Sequence, residues 1–600
     1  MTETTDATGR NSLGRTASPM LAGFRLLTGL LQGAALWWLY RSARGDAMEW
    51  PATVPALFGP LAMILFMVPV LLLAGAGRMR WPVLLGWTVA ATAFLGLLGW
   101  HDVTSHVAGE FGSNRYPPFL TWPMPLFAAA ALFIGHHLVL PADMERRWIA
   151  TFPTYFDTAW KAGVQLALSI GFTGAFWMLL FLGAALFNVI GLEFLGDLIA
   201  KDWFSIPATT VVFATAVHLT DVRDGLIRGV RSVVLMLLSW LLLLMTVLAG
   251  GFLAALPFTG LEGLWETGSA TALVLSAAAA LIILINTAYQ DGRADNLPPA
   301  ILRVTVRVAA VLLTPLVVIA FWGLALRIGQ HGLTPDRIIA VACAVIGAAY
   351  AAGYGLAALS PLWRKGAGWM QPLERTNVWT AVLEVVVIFA LFSPIADPAR
   401  LSVADQMARL ERGAVKPDQF DYRFLRFQSG KAGEAALARL ARSSDPVISR
   451  SARNARAIEN RWDDADIGSP NRMPVYEVVP AGTTLPKGFI KPLPATDSRI
   501  QVCQAAGDCI ANASDLNGDG AAEVLIANSS AIQLWASDGR GGWRIVGSWS
   551  APPYIRGAEP VDLREALRNG EARPATPEWP DLAFGDRRSS LIRHPSDAAP

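Results

Sequence analysis

The sequence predicts an all-α transmembrane bundle of about eleven helices followed by a C-terminal soluble α+β region. Three observations lead there. Hydrophobic residues make up 53% of the 600 positions and mean hydropathy is +0.40, values that soluble chains of this length rarely reach. The apolar residues are gathered before residue 397 into runs of roughly 20, the length that carries a helix across bilayer hydrocarbon. The loops between those runs alternate between rich and poor in Lys and Arg. A formal net charge of only +2 excludes a bulk attraction to nucleic acid.

Residues 1–19 are polar and Ser/Thr-rich, carry Arg10 and Arg15, and read as a disordered cytoplasmic N-terminus. No small-residue cleavage site follows the first apolar run, so that run is expected to act as an uncleaved signal anchor. The membrane domain covers 20–396. Its spans are predicted at Met20–Tyr40, Val54–Gly75, Trp81–Trp100, Phe119–Leu140, Gly163–Ile190 and Ser205–Leu219. They continue at Ser232–Leu256, Thr271–Tyr289, Val304–Leu326, Ile338–Leu359 and Val378–Ile395. The sixth is short, and Leu192–Phe204 before it, with Glu193, Asp197, Lys201 and Asp202, reads as an interfacial amphipathic helix.

With the N-terminus in the cytoplasm, the cytoplasmic segments carry Arg10 and Arg15; Arg78 and Arg80; Arg146, Arg147 and Lys161; Arg223, Arg228 and Arg231; Arg293, Arg303 and Arg307; and Arg364, Lys365 and Arg375. The opposite loops carry Arg41 and Arg44, then Arg115, then Lys201, then none, then Arg327 and Arg337. Basic residues retained in the cytoplasm set orientation. An odd number of spans then exports everything after residue 396, giving a multi-pass inner-membrane protein with a periplasmic tail. If the short sixth segment lay in the interface, the count would be even and the tail would return to the cytoplasm.

The tail divides into an exported soluble region, 397–570, and a loosely ordered Pro-, Arg- and Asp-rich end, 571–600. Leu401–Glu411, Ala432–Arg442 and Pro446–Ile458 have helical periodicity, and strands are expected from Val475 onward. Gly541 and Gly542, after Asp538-Gly539-Arg540, mark a hairpin between Ile532–Ala536 and Trp543–Trp549. Cys503 and Cys509 form a close pair suited to a small disulfide loop in an oxidising compartment, with two reduced thiols as the alternative. A zinc site would need two further ligands nearby.

The sharpest local motif is Asp515-Leu516-Asn517-Gly518-Asp519-Gly520-Ala521-Ala522-Glu523-Val524. Oxygen side chains at alternate positions Asp515, Asn517 and Asp519 suit a hard cation, and Gly520 permits the tight turn. An EF-hand would place a bidentate Glu where Ile526 stands. The loop instead feeds the apolar run Val524–Ala527, and in that form it resembles the calcium loops of FG-GAP or VCBS β-propeller blades. That resemblance implies Glu523 as a further side-chain ligand, the Ala521 carbonyl as a backbone ligand, and a structural Ca²⁺. An Asx-rich turn without metal is the alternative.

Inside the spans, Glu384 is the one acidic residue well within an apolar run; it could bind a coupling proton or cation, or pair with an Arg such as Arg307. Gln32 and Asn286 are mid-span amides that complete a candidate intramembrane polar site or glue helices together. His136, His137 and His218 are expected in the interface, and Arg25 to snorkel to the headgroups. Cys343 lies in the tenth span. There the small residues Ala340, Ala344, Ala348 and Ala352, with Gly347, Ala351 and Gly355, predict a centrally packed helix. His101, Asp102, His106 and Glu110 read as a surface loop rather than a metal site.

Arg327-Ile328-Gly329-Gln330-His331-Gly332-Leu333-Thr334-Pro335-Asp336-Arg337-Ile338 resembles the bacterial membrane proteins grouped as domain-of-unknown-function 4153. Gly29-Leu30-Leu31-Gln32-Gly33, Leu36-Trp37-Trp38-Leu39-Tyr40-Arg41 and Asn286-Thr287-Ala288-Tyr289-Gln290-Asp291 fit the same family. The resemblance implies a polytopic inner-membrane protein and brings no activity or catalytic residues. The chain has no Walker A loop, nucleophile-elbow Ser, HExxH or CxxC, so no catalytic residue and no organic cofactor is expected. Two functions stay open: a transporter or channel-like protein, and an envelope protein whose bundle anchors a sensing or partner-binding tail. An enzyme acting on lipid-linked substrates has no motif behind it. The bilayer is the expected partner; an envelope protein partner is left unidentified.

Overall fold

The structure, a computed structural model, describes residues 19–44, 48–107, 120–222, 224–260, 270–293, 295, 297–362, 368–458, 473–486, 488–491, 493, 503, 508–529, 531–538, 542–550, 562–572, 582–584 and 587–589. Arg10, Arg15, Glu110, Arg115, Arg223, Arg364 and Lys365 lie outside them. The chain forms two compact units, Met1–Arg456 and Ala457–Pro600. The boundary between them falls later in the chain than the change of composition at residue 397.

The first unit begins with α1 (Pro19–Arg44), α2 (Pro55–Gly75), α3 (Trp81–Ser105), α4 (Met124–Glu145) and α5 (Phe152–Val189). A short α6 (Phe194–Ile199) leads into α7 (Asp202–Val222), α8 (Asp224–Thr259), α9 (Ala270–Tyr289), α10 (Ala300–His331), α11 (Pro335–Leu359) and α12 (Pro372–Leu391). Among the described residues, ten helices are long and apolar enough to cross a membrane: α1–α5 and α7–α11. The eleventh predicted span falls in α12, which has 20 residues but includes Glu374, Arg375 and Glu384. The predicted sixth span is lengthened at both ends. Asp202, expected in the interfacial helix, and Asp221, expected in a loop, close α7, and each has an arginine partner.

Among the described residues of the bundle, side chains gather into two large cores and a small one of Leu73, Ala214 and Val217. Of the large ones, one joins Leu242, Leu281, Ile285, Val306, Leu313 and Tyr354 of α8–α11; the other joins Met63, Leu71, Leu84, Leu95, Met124 and Leu140 of α2–α4. Helix α12 packs on α11 along one flank and on α4 along the other. Its Phe389 and Phe392 stack on Phe94 and Phe127, with ring centroids 5.7 and 5.4 Å apart. The outward face of α5 leaves Met178, Leu179, Phe181, Leu182 and Leu186 exposed. So large an apolar surface is stable in hydrocarbon and not in water. The protein is a multi-pass membrane protein in contact with lipid.

Close helix approach depends on glycine where α1 crosses α7. A Cβ on Gly33 would stand 2.4 Å from the Pro207 Cα, and one on Gly29 2.8 Å from the Ala214 Cβ. Without a hydrophobic drive between helices in lipid, such backbone contact is the main attraction. On α11 the small residues Ala344, Gly347 and Ala351 are buried while Ala340, Ala348 and Gly355 are half-buried and Ala352 is exposed, and the helix packs on α9, α10 and α12.

Four further helices, α13 (Pro398–Glu411), α14 (Tyr422–Phe427), α15 (Gly430–Leu440) and α16 (Pro446–Ala457), enclose a small core of Met407, Phe420, Phe424, Leu425 and Leu437. Helix α14 was not predicted, because six residues show no periodicity. These helices sit on the end of the bundle formed by the α3 terminus and the α10–α11 turn. The Ser402 hydroxyl donates to the Leu333 carbonyl at 2.9 Å, and the Leu333 amide to Asp405 at 2.7 Å. Asp397 caps α13 through the Ala399 amide and meets His101 at 3.2 Å. Burial alone would raise its carboxyl pKa, but the His101 hydrogen bond and the capping amides outweigh it and hold the pKa below the ordinary value.

The second unit is a five-stranded sheet in the order β1 (Glu477–Val478), β2 (Ile510–Ser514), β3 (Glu523–Ala527), β4 (Ala531–Ser537) and β5 (Trp543–Ser550). β1 runs parallel to β2 and the remaining pairs are antiparallel. Alternation sends Val524 and Ile526 to one face with Phe489 and Trp535. Leu525 and Ala527 go to the other face with Leu563 and Leu567 of α17 (Leu563–Arg568). The predicted hairpin is β4–β5, closed by Asp538 accepting from the Gly542 amide at 2.7 Å; residues 539–541 at its tip lie outside the described residues. Within the last thirty residues, β6 (Leu582–Phe584) and β7 (Arg587–Ser589) pair antiparallel. Most of that stretch lies outside the described residues.

Candidate functional site

The residues with most chemical potential form a polar seam on α12 and the helices beside it. Asn377 and Glu384 are seven residues apart, two turns, and therefore share a face of α12. Asn377 closes a ring with Asn286 and Tyr354. The Asn286 amide donates to the Tyr354 hydroxyl at 2.7 Å, the hydroxyl to Asn377 Oδ1 at 2.6 Å, and the Asn377 amide to Asn286 Oδ1 at 2.7 Å. One turn before Tyr354, Tyr350 packs its ring edge-on against it, centroids 5.5 Å apart, and lies beside Glu384. Cys343, a further seven residues back on α11, is exposed and feels the same carboxyl. Towards the start of α12, Glu374 accepts from the Tyr289 hydroxyl at 2.8 Å. Arg307 is exposed, and the partner of Glu384 is Tyr350.

Of the three predicted polar residues, Asn286 and Glu384 therefore belong to one seam. Gln32 does not: its amide donates to the Phe66 carbonyl at 3.0 Å and ties α1 to α2. Tyr350, Tyr354 and Asn377 were missed. The tyrosines lie at helical spacing from Cys343, which is the signal that could have found them. Asn377 fell one residue outside the predicted span.

Near the start of α1 lies a buried charged knot. Arg25, expected to snorkel to the headgroups, is instead 1% exposed and pairs with Asp221 at 2.7 Å while donating to the Ala76 carbonyl at 3.1 Å. Arg78 binds the other oxygen of Asp221 and donates to Gln165 at 3.0 Å. His218 stands 3.4 Å from Arg25. A partner in the folded chain removes the reason to reach for headgroups. His136 and His137, expected at the interface, are also buried, and His137 Nδ1 lies 2.7 Å from the Phe133 carbonyl. His101 and Asp102 belong to the last turn of α3 rather than to a surface loop. Asp102 accepts from the Thr121 amide and hydroxyl at 2.7 and 2.6 Å, so the carboxylate serves the backbone.

In the second unit, one oxygen each of Asp515, Asp519 and Glu523 lies within 4.8 Å of the others. Gly518 and Gly520 adopt φ of 77° and 85°, wrapping the loop so that Asp515 accepts from both their amides. Asn517 bridges to Asp519 at 2.9 Å, and Glu523, buried at the start of β3, accepts from the Leu516 amide at 2.8 Å. The Ala521 amide, then Asn517, hold the Asp519 carboxyl below its ordinary pKa. Among the described residues no basic side chain reaches these three carboxylates, so their mutual repulsion has no protein counter-charge. That donor set fits a hard divalent cation. Cys503 and Cys509 are joined as a disulfide with Cα atoms 5.3 Å apart.

A helical bundle with a lipid-facing exterior and an internal polar seam defines a polytopic membrane protein, carrying a small α+β unit at its C-terminal end. A family model matches residues 33–440, which takes in the seam and the helices α13–α15. The chain belongs to that family, described as Domain of unknown function (DUF4153). No curated protein and no solved structure matches it.

Proposed function

We propose that this membrane protein is transporter-like, with Glu384 as the group that takes up a proton or small cation in the course of moving a solute. What supports this most is the position of Glu384 and Asn377 on a helix that packs against both large cores. Ionisable groups within a bundle are costly to keep, and one held without an ion pair, unlike Arg25 and Asp221, is a default candidate for a pathway or relay. The alternation of basic residues supports a cytoplasmic N-terminus and an exported C-terminal unit, and the family resemblance supports a bacterial inner membrane.

Cys343 tests the pathway without any introduced label. In lipid, a cationic, membrane-impermeant methanethiosulfonate is expected to modify Cys343 faster than an anionic one, and Glu384→Gln should abolish that preference. A Cys343 inert to both reagents would mean a dry seam and would end the transport reading. The alternative, an anchor for a binding tail, is favoured by one observation: the second unit has its own core and disulfide.

For the loop, the reading is a structural Ca²⁺ held by Asp515, Asn517, Asp519, Glu523 and the Ala521 carbonyl. Calcium bound to the folded unit stabilises it by about 2.7 kcal/mol when present at a hundredfold excess over Kd. Terbium luminescence excited through tryptophan should report the site, fall on adding calcium, and vanish in the Asp515→Ala, Asp519→Ala double variant. Luminescence that the double variant retains would place the metal elsewhere.

A further inference from the structure

The α10–α11 turn and the helices α13 and α14 enclose a cavity of about 520 Å³ that the seam does not use. Arg327, Arg337 and Arg409 line it together with His331, and Phe420 and Phe424 form an apolar part of the wall. Arg409 is only 8% exposed. Its two terminal nitrogens donate to the Gly329 and Gln330 carbonyls at 3.2 and 2.8 Å, and its Nε has no hydrogen-bond partner. Arg337 donates to the Gly332 carbonyl at 2.6 Å. Among the described residues neither Arg337 nor Arg409 reaches a carboxylate at ion-pair distance. Asp421, which also lines the cavity, accepts from the Phe424 amide at 2.9 Å, and Asp405 accepts from the Leu333 amide. Asp336 stands in the first turn of α11.

We propose that this cavity binds a phosphate group, with any apolar part of the ligand lying on Phe420 and Phe424. Guanidinium forks match phosphate oxygens in pairs, and Arg337 and Arg409 bring two of them to the wall of this cavity, with Arg327 and His331 beside them. The first turn of α11, capped by Thr334, opens onto the same space and adds the positive end of a helix dipole. Capping of the α10 terminus explains Arg409 taken alone. It does not explain why Arg327 and Arg337 converge beside it. The proposal stands whether or not Glu384 carries a proton.

The test uses the full chain, purified in detergent and then placed in nanodiscs. Inorganic phosphate should raise the melting midpoint in detergent if the ligand is soluble. Phosphatidate in the nanodisc should raise it over phosphatidylcholine alone if the ligand is a lipid headgroup. Either response supports the site. Arg327→Gln and Arg337→Gln should each weaken the response about tenfold, the scale of one lost charge-assisted hydrogen bond. Arg337→Lys, which keeps the charge but not the fork, should fall between. A wild-type chain that responds to neither source, a glutamine variant that melts normally and responds like the wild type, or an equal response to sodium chloride would each overturn the proposal.

Discussion

Asp221→Asn is expected to destabilise the membrane bundle by about 3–5 kcal/mol, the range found when one partner of a buried ion pair is removed. The carboxylate is 2% exposed and lies between two guanidiniums, Arg25 on one oxygen and Arg78 on the other. Asparagine has the same shape and no charge, so packing is kept while two like charges face each other in a poorly solvated pocket. Thermal melting of the purified protein in detergent would measure the loss. Arg25→Leu alone should also be severe. The double variant Arg25→Leu, Asp221→Leu should lose less than the sum, because the residual Arg78 has Gln165 and some exposure. Additive losses would show that the knot does not act as a unit.

Gly33→Leu is the second large effect. The Cβ alone would meet the Pro207 backbone at 2.4 Å and the Thr210 hydroxyl at 2.4 Å, and backbone cannot rotate aside. Gly33→Ala should lose about 1–3 kcal/mol by overpacking, and leucine should part α1 from α7 and abolish the folded protein. Gly86→Leu is the control, because nothing lies within 4 Å of its Cβ position. The expected readout is a monodisperse peak on size exclusion for Gly86→Leu and aggregated material for Gly33→Leu. Equal behaviour of the two would remove close packing as the reason for glycine here.

The existence of each span was legible because hydrocarbon demands a continuous apolar stretch, a property carried by neighbouring residues. Span ends were less legible wherever a distant partner decides them. Asp202 is helical beside Arg44, and Arg25 is buried because of Asp221, 196 positions away, a distance at which a single sequence offers no signal. Glu384 stood out as a lone carboxyl among apolar neighbours. Its setting did not, since Tyr350 and Asn286 come from other helices. The loop at Asp515 was readable for the opposite reason: its donors, turns and glycines all fall within nine residues, so spacing alone brings them near one another.

Helix α12 is flanked by a different group of helices on either side and is joined to α13 by residues 392–397, the last of which, Asp397, caps α13. A swivel of α12 that changes what Glu384 faces would pull on that connection, and Asp397, which also meets His101 at 3.2 Å, is where the pull would reach the short helices.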